Sequence, residues 1–142
     1  MMGKRGAVLL IVEDDLEDQV LIRRSLNHGE FDDEIHFVEN GEKAIDYLFN
    51  RNEFSDISKY PFPDILFLDL RMPKIDGFQV LEKIRKNPKY LDLPIYVFTT
   101  SNYERDKLKC YDLGANEFVT KPMSYQEFLE QFLILRRKWD KQ

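Results

Sequence analysis

Five short apolar runs, each closed by polar residues, constrain this chain more than any other feature. They lie at residues 7–12, 35–38, 65–68, 95–98 and 118–119, and the first and third have no polar alternation at all. A strand with no polar side is buried on both faces, as the strands of a parallel sheet are. Between the runs the spacing turns helical. Leu21 and Ile22 are followed four residues later by Ser25 and Leu26, with Gly29 as a stop. Asn40 stands where a cap is needed ahead of the apolar face of Ala44, Ile45 and Leu48. Phe78, Leu81 and Ile84 mark a third helix, and a polar stretch over about 102–113, stopped by Gly114, a fourth. Tyr125, Phe128, Leu129 and Phe132 mark a fifth helix. Residues 51–63, polar and aromatic with Pro61 and Pro63 near the end, read as a rather long connecting loop.

Strand and helix thus alternate five times. This predicts an α/β fold: a single five-stranded parallel sheet with helices on both faces, in the order 2-1-3-4-5. At 142 residues the chain has the size of one compact domain, and 136–142 are too few for an output module, so 1–142 are expected to form one unit. Hydrophobic residues make up 43% and charged residues 33%, which argues against disorder. A net charge of −5 argues against non-specific nucleic-acid binding, which needs a basic face. No apolar stretch is long enough to span a bilayer, and a single Cys110 without a partner fits the reducing cytoplasm.

The polar residues that close the runs carry the chemistry. Glu13 and Asp14 end the first strand, Asp69 the third and Thr99 the fourth, and Lys121 follows the fifth. All fall at the carboxyl edge of one sheet, where open α/β sheets bind ligands. Strands one and three are neighbours in the expected order, so their carboxylates converge. Converging carboxylates repel, and either one stays protonated or a cation sits among them. An all-oxygen cluster with few protein ligands suits Mg²⁺, which keeps several waters. Lys121 adds a point charge for a phosphoryl oxygen, and Thr99 a hydroxyl. The ensemble reads as a phosphoryl-transfer site, with Asp69 as the nucleophile because both cation and lysine reach it.

These residues carry a family resemblance. Leu10-Ile11-Val12-Glu13-Asp14-Asp15, Leu68-Asp69-Leu70-Arg71-Met72-Pro73-Lys74-Ile75-Asp76-Gly77, Phe98-Thr99-Thr100-Ser101, Gly114-Ala115 and Phe118-Val119-Thr120-Lys121-Pro122, in this order, resemble the response-regulator receiver domain of bacterial two-component systems. The likeness covers nearly the whole chain and implies the flavodoxin-like receiver fold. It implies Asp69 as phosphoacceptor and Asp14 as a direct Mg²⁺ ligand, with Glu13 acting directly or through water. The backbone carbonyl of Arg71 would be a further ligand. Lys121 would hold the phosphoryl group, Thr99 would swing to hydrogen-bond it, and Phe118 would move inward behind Thr99. The bond before Pro122 is often cis in the family. The implied donor is a sensor histidine kinase, and the output is a changed affinity of the face formed by helix four, strand five and helix five for a downstream protein the sequence does not name. The Thr99-Thr100-Ser101 run and the long loop resemble stand-alone receivers, some of which serve phytochromes.

Three departures stand out: Glu13 where many relatives have Asp, Phe118 where Tyr is frequent, and Thr100 where Ala or Ser is usual. Arg71 and Ser101 occupy variable positions that tune hydrolysis of the acyl phosphate in the family.

Each motif has a plainer reading. Glu13-Asp14-Asp15 can serve a helix N-terminus, Asp69 a turn, and Thr99 or Phe118 strand packing. His28 and His36 make no ligand pair and read as structural or surface residues, and Cys110 as a packing residue. Other functions on this architecture fit less well. A phosphohydrolase of the aspartyl type would have an acid two residues after Asp69, where Arg71 stands. A flavin carrier would have a Ser/Thr/Gly-rich loop after strand one, where acids stand. Substrate turnover is therefore not expected. Phe132, Ile134, Leu135 and Trp139 almost encircle the last helix, and the part not packed on the sheet predicts a patch for a partner or a homodimer.

Overall fold

The computed structural model describes residues 6–27 and 30–141. The strands are β1 (Val8–Val12), β2 (Glu34–Val38), β3 (Ile65–Leu68), β4 (Ile95–Thr99) and β5 (Glu117–Thr120). The helices are α1 (Leu16–Leu26), α2 (Gly41–Leu48), α3 (Gly77–Arg85), α4 (Glu104–Asp112) and α5 (Tyr125–Arg137). The strands form one sheet in the order β2-β1-β3-β4-β5, and every pairing is parallel. The sequence-based α/β reading holds in both order and orientation.

Side chains alternate across a strand, so an unbroken apolar run supplies two cores at once. Leu10, Val12, Leu66, Leu68 and Val97 face one side of the sheet, where Ala44 and Leu48 of α2, Val80, Leu81 and Ile84 of α3 and Cys110 of α4 cover them. Leu9, Ile11, Phe67, Tyr96 and Phe98 face the other side and meet Ile22 and Leu26 of α1 and Phe128, Phe132 and Leu135 of α5.

Local chemistry sets the helix starts. Asp15 caps α1 by accepting from the amides of Glu17 and Asp18. Asn40 caps α2 through the Lys43 amide at 2.8 Å, as its position predicted. Asp76 and Gln79 exchange bonds in a capping box at α3. The α1 helix ends at Leu26, so the Gly29 stop, like His28, lies outside the described residues. Gly114 follows α4 in a left-handed conformation, φ +103°, which a glycine adopts at little cost.

Three expectations change. Residues 51–63 do more than connect. They contain a 3₁₀ turn at Asn52–Phe54, Phe54 is buried, and Tyr60 packs on the core beside Tyr47 and His36. Tyr47 donates its hydroxyl to the Pro61 carbonyl at 2.8 Å. The aromatic residues are the reason: they gain more by covering the edge of the sheet than by facing water. The apolar ring foreseen on the last helix mostly disappears. Phe132 and Leu135 are fully buried, Trp139 packs on the second core, and Ile134 remains exposed. No described peptide bond is cis, so the bond before Pro122 is trans, the lower-energy form of an X–Pro bond.

The stretch 136–142 begins inside the last helix, with Arg136. That residue belongs to α5 and is 0% exposed. Its guanidinium reaches the Asp33 carboxylate at 2.7 and 2.8 Å, and Asp33 also accepts from the Ala7 amide at 2.8 Å. The Phe31 ring lies 4.0 Å from the guanidinium carbon. One buried ion pair therefore ties α5 to the start of β1 and to the segment leading into β2.

Candidate functional site

The sheet hydrogen bonding continues one residue past the strand ends and so places the acids. The Glu13 amide donates to the Val38 carbonyl at 3.0 Å, and the Asp69 amide to the Val12 carbonyl at 3.2 Å. On the far side the Lys121 amide donates to the Thr99 carbonyl at 2.6 Å. Glu13, Asp69, Thr99 and Lys121 thus occupy one edge, as the order of the strands predicts.

Lys121 stands at the centre. Its side chain is 3% exposed, and its ammonium donates to Asp69 Oδ2 at 3.0 Å, to Asp18 Oδ2 at 2.8 Å and to Glu13 Oε1. Asp69 is buried, and its second oxygen, Oδ1, accepts from the Arg71 amide at 3.2 Å. Gly77 lets the loop after β3 fold back this closely, since a Cβ there would meet the Asp69 carbonyl at 2.6 Å. Asp14 is exposed at the mouth. Oxygens of Glu13, Asp14 and Asp69 lie within 4.8 Å of one another.

The electrostatics are those of a site short of positive charge. Four carboxylates, Glu13, Asp14, Asp18 and Asp69, gather around one ammonium. Burial pushes the Glu13 carboxyl up to about 8; Lys121 opposes the rise and Asp69 adds to it. Burial works to lower the Lys121 ammonium, but Asp69 and Glu13 outweigh it and raise it above its ordinary value, so it stays charged. A hard divalent cation fits this donor set. It is all oxygen, anionic and partly open, and a cation offsets the burial, and the added repulsion from Asp69, that otherwise favour a proton on Glu13.

Thr99 is fully buried at the same edge, and its Oγ1 accepts from the Ser101 amide at 3.4 Å. That bond uses an acceptor lone pair and leaves the hydroxyl proton for another partner. Phe118 sits two residues before Thr120, the register partner of Thr99, and is half-buried against the first core. Arg71 meets Asp69 through its amide.

Sequence reasoning missed two participants, Asp18 and Gln19, and gave Ser101 no structural partner. Asp18 lies four residues after Asp14, one turn into α1, and that spacing was the available signal. Gln19 donates to the Glu13 carbonyl at 2.7 Å and braces the acidic turn. Ser101 donates to Asp106 Oδ2 at 2.6 Å and ties the loop after β4 to α4. The plainer reading of the acidic triplet proves right for Asp15 alone, which caps a helix while its two neighbours face the site.

Comparison with known proteins agrees with this geometry. Residues 9–133 match the model of the response regulator receiver domain. The response regulator Rcp1 of Synechocystis sp. is 31% identical over 132 residues, covering 93% of this chain and 88% of that protein. The crystal structure of the phosphorylated cyanobacterial phytochrome response regulator RcpA superposes with a TM-score of 0.88 at 30% identity, covering 94% of each chain. The Mn²⁺-bound form of Rcp1 superposes with a TM-score of 0.86 at 31% identity, again over 94% of each chain. Fold, site and sequence lead to one assignment: the chain belongs to the response regulator receiver domain family, whose function is phosphoryl acceptance in two-component signalling.

Proposed function

We propose that Asp69 is the phosphoacceptor of this receiver and that a sensor histidine kinase, of the phytochrome-associated kind, is its donor. The observation that carries the reading is the buried Lys121 ammonium on Asp69 Oδ2 at 3.0 Å, beside a three-carboxylate cluster. Asp69 attacks the phosphorus of a phosphohistidine, the P–N bond breaks, and the electron pair leaves with the imidazole nitrogen. Lys121 holds a phosphoryl oxygen as a fixed positive charge. Thr99 donates its free hydroxyl proton to a second oxygen, and Phe118 follows it by repacking.

Glu13, Asp14 and Asp69, with the backbone carbonyl of Arg71, would hold the cation, for which Mg²⁺ is the proposed identity. Bound there, it neutralises charge on the transferring group. That Rcp1, 31% identical to this chain, has an Mn²⁺-bound form supports a divalent ion as a ligand of this chain.

Residues 1–142 are proposed to act as one receiver whose output is an interaction rather than turnover of a substrate. The face formed by α4, β5 and α5 is the proposed output surface for a downstream protein or a second copy; Leu108, Tyr111 and Ile134 stand exposed on its helices. Phosphorylation shifts the population between two arrangements of that face. The proposed compartment is the cytoplasm; none of the described helices is long and apolar enough to cross a membrane.

Incubation with acetyl phosphate and Mg²⁺, read by intact mass, tests the reading. One added phosphate is expected with the metal, and none with EDTA or in Asp69→Asn. Equal labelling of Asp69→Asn would refute the assignment.

A further inference from the structure

We propose that Asp18 is a positioning residue of the acceptor site: its carboxylate competes with an incoming phosphoryl group for the Lys121 ammonium and so sets how readily Asp69 is phosphorylated. The inference rests on the roles given above to Asp69 and Lys121.

An ammonium has three N–H groups and no more. In this chain all three have carboxylate partners: Glu13, Asp69 and Asp18. A phosphoryl oxygen arriving on Asp69 gains Lys121 only if one carboxylate lets go. Glu13 and Asp69 are 2% and 7% exposed at the side chain, so neither can exchange the ammonium for water. Asp18 is 19% exposed and sits in the first turn of α1. It can turn toward water while its own amide keeps its bond to Asp15 Oδ1 at 3.2 Å. Asp18 is therefore the partner that yields.

Charge acts in the same direction. Asp18 adds a negative charge directly on the group meant to receive the phosphoryl oxygens, and so opposes the approach of an anionic donor. In the reaction with acetyl phosphate, an Asp69 oxygen attacks phosphorus, the P–O bond to acetate breaks, and acetate leaves with the electron pair. Lys121 stays protonated throughout. Asp18 takes no part in bond making; it acts only through Lys121.

Phosphorylation rates of the full chain at saturating Mg²⁺ test this, with acetyl phosphate as the more anionic donor and phosphoramidate as the less anionic one. Asp18→Asn keeps the shape and removes the charge; Asp18→Ala removes both. Each is expected to raise the acetyl phosphate rate about fivefold, the effect of one charge removed from a partly solvated site, with a smaller gain for phosphoramidate. Asp18→Glu, which restores the carboxylate, is expected within about twofold of the parent, on the same reasoning about charge. Beryllofluoride is expected to bind more tightly to the two neutral variants. Rates at or below the parent's with acetyl phosphate, or an Asp18→Glu protein that behaves like Asp18→Ala, would overturn the inference. Failure of the parent to accept phosphate from either donor would overturn the Asp69 reading and this one with it. A labelled parent with unaccelerated variants overturns this one alone.

Discussion

At the scale of single residues, the site is built on one buried lysine held by three acids, two of them buried and the third, Asp18, partly open to water. Lys121 neutralises part of a cluster which, without it, would carry four carboxylates at close range. Removing the ammonium is therefore predicted to leave cation binding intact or stronger, because the carboxylates then have no competitor for the metal. Lys121→Ala should bind Mg²⁺ at least as tightly as the parent in a calorimetric titration while its beryllofluoride affinity falls at least tenfold. Loss of Mg²⁺ binding in that variant would show that the division of labour between lysine and acids is wrong. Glu13, Asp14, Asp69, Thr99 and Lys121 were legible in the sequence because each interrupts an apolar run at a strand end. Asp18 was not, since it reads as one more acid in the acid-rich start of a helix. Its role arises only when α1 is laid beside the segment after β5.

At the scale of elements, the close approach of loop to strand explains the geometry around Asp69. The turn between β3 and α3 brings the Arg71 amide onto Asp69 Oδ1, and Gly77 is what permits it. Gly77→Ala puts a methyl group 2.6 Å from the Asp69 carbonyl and 2.7 Å from the Leu70 Cα, both backbone atoms that cannot step aside cheaply. The variant is predicted to lose about 2–3 kcal/mol of stability, in the range of overpacking, and to phosphorylate more slowly than its stability alone explains. Urea titration with a phosphorylation rate measured well below the midpoint separates the two effects. The strands and helices could be read in advance because buried parallel strands leave an unmistakable apolar signature. The loop 51–63 could not, because its aromatic residues gain their meaning from Tyr47 and His36, which lie before it in the chain and beside it only in the fold.

At the scale of the whole molecule, the sheet separates two tasks. Its carboxyl edge holds the charged site, and its opposite end is tied by the Arg136–Asp33 pair, which joins α5 to the entry of β1. Asp33→Ala removes the carboxylate that meets the buried Arg136 guanidinium at two points. Asp33→Ala is predicted to cost about 3–5 kcal/mol, seen as a lowered urea midpoint. A loss below about 1 kcal/mol, the worth of an exposed pair, would mean that water reaches the guanidinium. The sequence showed Arg136 only as a basic residue at a chain end. Its burial depends on where the last turn of α5 lands, and no local pattern carries that information.

The central claim is that a phosphoryl group is accepted on Asp69. Treating the phosphorylated protein with borohydride, which reduces an aspartyl phosphate to homoserine, and mapping the peptides would locate it directly. Homoserine at position 69 alone is the predicted result. Homoserine at another acid of the cluster, or a stable phosphate on a serine, threonine or histidine, would contradict the account.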